Sequence, residues 1–140
     1  STPIKSSAAS DVYKRQLDEN KLVLIYPEQE MWLNYRKPRP PKRGAYLYAA
    51  KFNVPIISCF VEMVDTDKDD TKEFKKVKYV LHILDPIYPD PEKNERDNSF
   101  DMMRRDYMQK KEAYEKAYGK PLEYAFEPSD IAGWKGEELE

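Results

Sequence analysis

The chain reads as an α/β domain: a mixed sheet built on a βαβ unit, followed by a hairpin and a C-terminal helix. Three observations point there. Residues 21–26 (KLVLIY) form a short, continuous apolar run that stops at Pro27. A second apolar run, residues 54–64, follows one small-residue helical segment later. A third, residues 76–85, follows the second across a short acidic stretch, as the strands of a hairpin do. A short apolar run rich in branched and aromatic residues suits a strand covered on both faces, as in a parallel sheet.

Taken in order, residues 1–16 stand apart. STPIKSSAASDVYKRQ is rich in Ser and Ala and lacks apolar periodicity. No apolar stretch follows Lys5, so it is not a secretory leader. Asp11-Val12-Tyr13-Lys14-Arg15-Gln16 also matches the conceptual translation of a transposon-end adapter used in preparing sequencing libraries (GAT GTG TAT AAG AGA CAG). Residues 1–16 are therefore expected to be an artefactual or disordered N-terminus, outside the fold.

Beyond the first predicted strand, Pro38, Pro40 and Pro41 bar regular structure, so residues 29–41 read as a loop. Residues 42–52 (KRGAYLYAAKF) read as a helix, with Ala45, Tyr48, Ala49 and Phe52 on one face. Asn53 suits a left-handed C-cap. Pro55 sits near the start of the second strand, where a missing donor matters least. Residues 65–73 (DTDKDDTKE) read as a solvated turn; calcium is disfavoured because the twelve-residue calcium loop requires a glycine at its sixth position and this stretch has none. On residues 76–85, alternation assigns Val77, Tyr79, Leu81 and Ile83 to one face and Lys78, Val80, His82 and Leu84 to the other. Residues 87–97 form a proline-punctuated connector. Ser99 is the expected N-cap of a helix to Tyr118, striped by Phe100, Met103, Tyr107, Tyr114 and Tyr118 and stopped by Gly119 and Pro121. Residues 122–140 lose periodicity and read as an irregular tail.

Composition narrows the function. The 140 residues carry 24 Lys and Arg against 26 Asp and Glu, a formal charge of −2, with a pI near 5.6. No global basic field points to nucleic acid. Basic charge is concentrated between Arg36 and Arg43, which suits a small anion or a lipid headgroup. No run of 18 apolar residues is present, so no membrane-spanning helix is expected. The single cysteine, Cys59, lies within an apolar strand pattern and is expected to pack as a small hydrophobe in a reducing compartment. With one His and one Cys, no transition-metal site is expected.

Tyr26-Pro27-Glu28 at a strand end, and Val54-Pro55-Ile56 one helix later, resemble two motifs of the glycerolipid acyltransferase family, enzymes that acylate glycerol 3-phosphate or lysophosphatidic acid. The resemblance covers residues 22–84 and continues more weakly through the Tyr-rich helix. It implies a partial acyltransferase-like fold, with residues 17–121 as the C-terminal part of the domain. The family's His-x-x-x-x-Asp motif, whose imidazole takes the acceptor hydroxyl's proton, is expected upstream of Leu17. His82 is not that base: Ile87 stands five places on, and Asp85 falls on the opposite strand face. No catalytic residue is therefore assigned, and no cofactor is implied. By the resemblance, Glu28 contributes to the glycerol phosphate site. The common family form places an Arg three residues past the Glu, where Met31 stands here. The longer PEQEMWLNYRKPRP form resembles a bacterial branch of the family and makes Arg36 or Lys37 the natural phosphate ligand. Lys42 and Arg43, at a helix start already suited to anions, are further candidates. Trp32 would either dip into a membrane interface or pack over the sheet end.

The resemblance implies an acyl donor (acyl-CoA or acyl carrier protein), a glycerol phosphate or lysophospholipid acceptor, peripheral contact with a membrane surface, no nucleic acid, and a place in the cytoplasm or at the cytoplasmic face of the membrane. As given, the chain lacks the dyad and is expected to be inactive. The competing reading is a complete, non-enzymatic α/β module that binds an anionic ligand through its basic loop.

Overall fold

The computed structural model describes residues 6–136, with side-chain surroundings from Ser10 onward. Among the described residues, three α-helices and one two-stranded antiparallel sheet make a small mixed α/β protein: α1 (Ser6–Asp18), α2 (Gly44–Phe52), β1 (Cys59–Asp69), β2 (Lys75–Ile83) and α3 (Glu95–Tyr118), with a short 3-10 turn at Pro128–Asp130.

α3 is the spine. Asn94 caps it, its side chain accepting from the Asp97 amide at 2.8 Å, and Gly119 ends it at φ 67°. The expected cap, Ser99, lies buried inside the first turns instead, its hydroxyl donating to the Arg96 carbonyl at 2.6 Å. Asn94 wins because an acceptor two to three residues before the first free amides satisfies them, and Asp97 adds a negative charge to the same turn. The 24-residue helix then spans about 36 Å and serves two apolar clusters. Near its start, Met102 packs with Tyr46, Ala49, Ala50 and Ile87. Near its end, Tyr114 packs with Phe60 and Leu122. Two residues, Tyr107 and Tyr118, of the expected stripe flank the second cluster, whereas Phe100 is exposed.

α2 starts at Gly44 rather than at Lys42, and stops at Asn53, left-handed at φ 52°, where the sequence places its cap. Its buried face is rotated from expectation. Tyr46, Ala49 and Ala50 meet α3, while Tyr48 stacks on Phe52 and meets Tyr13 of α1 edge-on at 5.0 Å. The rotation follows from α2 being gripped by two helices rather than laid on a sheet. α1 occupies residues that composition reads as irregular; Ser10 is buried and its hydroxyl accepts from Lys51 at 3.0 Å. Residues 1–5 of that segment lie outside the described residues.

The hairpin forms with Phe60 opposite His82 and Val61 opposite Leu81. β1 runs into the acidic stretch as far as Asp69, and the turn tightens to 70–74, with Asp70 and Thr71 amides both donating to the Phe74 carbonyl. A bulge between Asp65 and Asp69 absorbs the extra residues. Side chains alternate as expected, and α3 selects which face is covered: Phe60 packs under α3 while Tyr79, Leu81 and Ile83 face outward. Cys59, expected to be packed, shares that outward face and is exposed.

The main correction concerns residues 21–26. They are not a strand, and the βαβ unit and parallel pair are not formed; the sheet is purely antiparallel. Leu22, Leu24 and Tyr26 are exposed while Val23 and Ile25 are half-buried. A strand exists only by pairing, and neither side of the hairpin reaches this segment. Ile56 instead bridges antiparallel to Ile87 beyond the hairpin, exchanging two hydrogen bonds of 2.9 Å.

The tail is irregular in shape and firmly tied. Ala132 donates to Asn34 at 2.8 Å, Lys75 to Gly133 at 2.7 Å and Lys135 to Glu73 at 2.9 Å. Gly133 sits at φ 74°, and a Cβ there would meet the Lys75 carbonyl oxygen at 2.6 Å. Gly133→Ala is therefore expected to cost more than about 1 kcal/mol, since both the backbone conformation and the approach exclude a side chain; a urea midpoint equal to that of the parent chain would contradict this tie.

Candidate anion-binding site

The loop between residues 27 and 43 is closed at its base. Tyr26-Pro27 ends the extended segment, and the Lys42 amide donates to the Pro27 carbonyl at 2.7 Å. Gln29 turns the chain at φ 57°. Glu28 then braces the loop from within: one carboxylate oxygen accepts from the Arg39 amide at 2.8 Å, the other lies 3.1 Å from the Arg39 guanidinium. Arg39 also pairs with Glu30 at 2.6 Å and lies 4.4 Å from the centre of the Trp32 ring. Trp32 meets Tyr35 edge-on at 4.8 Å and, with Leu33, Phe74, Phe126 and Ile131, lines an open apolar hollow of about 380 Å³.

The five residues singled out from sequence divide into two groups. Arg36 and Lys37 turn inward. The Arg36 guanidinium donates to the Met63 carbonyl, to Ser129 O at 3.0 Å and to Asp65 at 2.6 Å, and stacks 5.3 Å from the Tyr118 ring centre. Lys37 is buried; its ammonium donates to the Ala125 carbonyl at 3.1 Å and pairs with buried Asp130 at 3.0 Å. Asp130 also accepts from the Glu127 amide at 2.8 Å. Both cations thus hold the tail against the loop, and Tyr124 adds a third tie, its hydroxyl donating to Pro38 O at 2.6 Å. Burial, then the hydrogen bond shared with Tyr107, push the Tyr124 phenol far above its ordinary value, so it stays protonated across the working pH range.

Lys42 and Arg43 turn outward, beside Glu28's loop and at the start of α2. Arg43 occupies the N-cap position, and no side chain caps the helix there. Its guanidinium lies 4.7 Å from the centre of the Phe100 ring, and Arg96 of α3 lies 5.9 Å from the same ring. Among the described residues, no carboxylate stands within ion-pair distance of Lys42, Arg43 or Arg96. Arg43 and Arg96 therefore share the Phe100 ring beside a helix N-terminus that no side chain caps, with exposed Lys42 next in sequence, an arrangement able to hold a phosphate or carboxylate. Arg96 is the residue that sequence reasoning missed. Its spacing of four from Phe100 was visible, but its approach to Arg43 depends on how α2 packs on α3.

Beneath the junction, buried Tyr46 donates to Asp106, which also accepts from Lys110 at 3.2 Å. Burial, followed by that hydrogen bond, raises the Tyr46 phenol far above its usual value. This pair fixes α2 on α3 and hence the distance between Arg43 and Arg96. His82 is bonded to Glu62 at 2.8 Å on the half-buried sheet face, away from the junction. Among the described residues, no cluster of His, Cys, Asp or Glu is arranged to hold a metal, and no helix is long and apolar enough to cross a membrane.

The chain matches no protein-family model, and comparison with curated proteins and with solved structures finds no match.

The Lys37–Asp130 pair makes a direct prediction. Lys37→Met leaves Asp130 buried without its cation and is expected to cost about 3–5 kcal/mol, whereas Lys37→Met combined with Asp130→Leu recovers most of that loss. Denaturant titration of both variants checks it; equal stabilities for the single and double variants would contradict the pairing.

Proposed function

We propose that this chain is the acceptor-binding part of a glycerolipid acyltransferase, and that Lys42, Arg43 and Arg96 hold the phosphate of a glycerol phosphate or lysophospholipid. The observation that carries this reading is the meeting of Arg43, at the uncapped α2 N-terminus, with Arg96 on the Phe100 ring, one residue past Lys42, whose amide closes the loop that opens with Tyr26-Pro27-Glu28. The family resemblance supplies the reaction: transfer of a fatty acyl group from a coenzyme A or acyl carrier protein thioester to a hydroxyl. The general base belongs to a His-x-x-x-x-Asp motif that these residues do not contain. Glu28 shapes the loop through Arg39, and its 3.1 Å ion pair leaves carboxylate lone pairs for an acceptor hydroxyl. Exposed Trp32 and its neighbours Met31 and Leu33 give the same loop an apolar edge suited to a membrane surface at the cytoplasmic face.

A non-enzymatic anion-binding module is the second reading. The same three cations favour it, and it differs in needing no catalytic half.

Titration of the isotopically labelled chain with glycerol 3-phosphate, and separately with inorganic phosphate, tests the site. Amide shifts are expected at Gly44 and Ala45. Lys42→Ala with Arg43→Ala is expected to weaken binding at least about tenfold, because charge-assisted hydrogen bonds contribute about 1.5–3 kcal/mol each. Saturable shifts that are absent, or that survive the double substitution, would overturn it. A preference for glycerol 3-phosphate over phosphate separates acceptor recognition from simple anion binding.

A further inference from the structure

The same chain carries an unpaired strand and an unpaired sheet edge. Residues 22–26 belong to neither a helix nor a strand. Among the described residues, the amides and carbonyls of Leu22, Val23, Leu24 and Ile25 make no hydrogen bond. Their exposure alternates, with Leu22 at 96%, Leu24 at 79% and Tyr26 at 68%. An apolar, β-branched or aromatic segment of this kind has the composition of a strand and lacks only a partner.

The hairpin offers one. Leu84 donates to Ser58 across its base at 2.9 Å, so in the alternation of an antiparallel ladder Phe60 and His82 exchange hydrogen bonds, as do Glu62 and Val80. The intervening residues point their backbone groups away from the ladder. On β1 that outer edge is closed at Met63, whose amide donates to the Tyr118 hydroxyl at 2.9 Å and whose carbonyl accepts from Arg36. On β2 the outward groups of Tyr79, Leu81 and Ile83 have no partner among the described residues. These residues are 57%, 60% and 70% exposed. Three exposed residues at period two thus stand on the free segment and three on the free edge.

Charge sets the direction. Lys21 precedes the segment and Glu28 follows it; Lys78 precedes and Asp85 follows the matching part of β2. Antiparallel pairing brings Lys21 towards Asp85 and Glu28 towards Lys78, while parallel pairing would set like charges together.

We propose that a second copy of this chain supplies the partner: residues 22–26 of each copy add as a third, antiparallel strand to the β2 edge of the other. A reciprocal, two-fold exchange satisfies both free features at once, since each protomer carries one strand and one edge. The inference is independent of the phosphate site.

Sedimentation equilibrium of the full chain is expected to give twice the 16.6 kDa chain mass. Leu24→Pro removes one outward donor from an exposed segment and should return the monomer mass with unchanged helical circular dichroism. Hydrogen exchange at the Tyr79, Leu81 and Ile83 amides should be slowed at least about tenfold in the parent chain relative to Leu24→Pro. A monomeric parent chain, or a dimer that survives Leu24→Pro, would overturn the proposal. So would rapid exchange at those three amides in the parent chain, which needs no variant to fold.

Discussion

The buried ion pair between Lys37 and Asp130 is the constraint from which the rest of the arrangement follows. Both groups are almost wholly removed from water, with their charged atoms 3.0 Å apart. Removing two charges from water costs several kcal/mol per ion after relaxation, so the pair is tolerated only because each partner has further hydrogen bonds. The Ala125 carbonyl serves Lys37 and the Glu127 amide serves Asp130. What the pair contributes is register: it sets residue 37 against residue 130. The Arg36 amide then meets the Asp130 carbonyl at 2.8 Å, Tyr35 bridges Ile131, and Gly133 reaches the bulge at Asp65. An irregular tail becomes a strap across the basic loop.

That strap sorts the basic loop by function. Five cations from Arg36 to Arg43 would repel one another if all faced one ligand. Instead Arg36 and Lys37 are neutralised internally, and Arg39 is neutralised by Glu28 and Glu30. Lys42 and Arg43 are left to face solvent at a helix start, where Arg96 joins them across Phe100. The proposed phosphate would meet donors already in place and displace no internal carboxylate.

Much of the fold was legible because local chemistry decided it. Asn53 and Gly119 mark helix ends where the backbone turns left-handed, and the acidic turn between two apolar runs specified a hairpin. The misses share a cause: each depended on a distant partner. KLVLIY has the composition of a strand, but pairing makes a strand, and no neighbour reaches it. Which face of the hairpin is covered depends on where α3 lies, so alternation separated the two faces without saying which one is buried. Ser99 lost to Asn94 because both can cap and the choice rests on where the connector delivers the chain. Arg36 and Lys37 were read as ligands because their charge is visible in sequence, whereas Asp65 and Asp130, which consume that charge, lie 29 and 93 residues away.

The central claim is that Glu28 and the Lys42–Arg43–Arg96 junction serve an acyl transfer whose base is encoded upstream. Reading the genomic template upstream of the Leu17 codon, free of library adapters, tests it most directly. The account predicts an uninterrupted frame that encodes His-x-x-x-x-Asp within the preceding domain-length stretch. A start codon at that boundary, or a continuing frame without the motif, would contradict it and leave an anion-binding module.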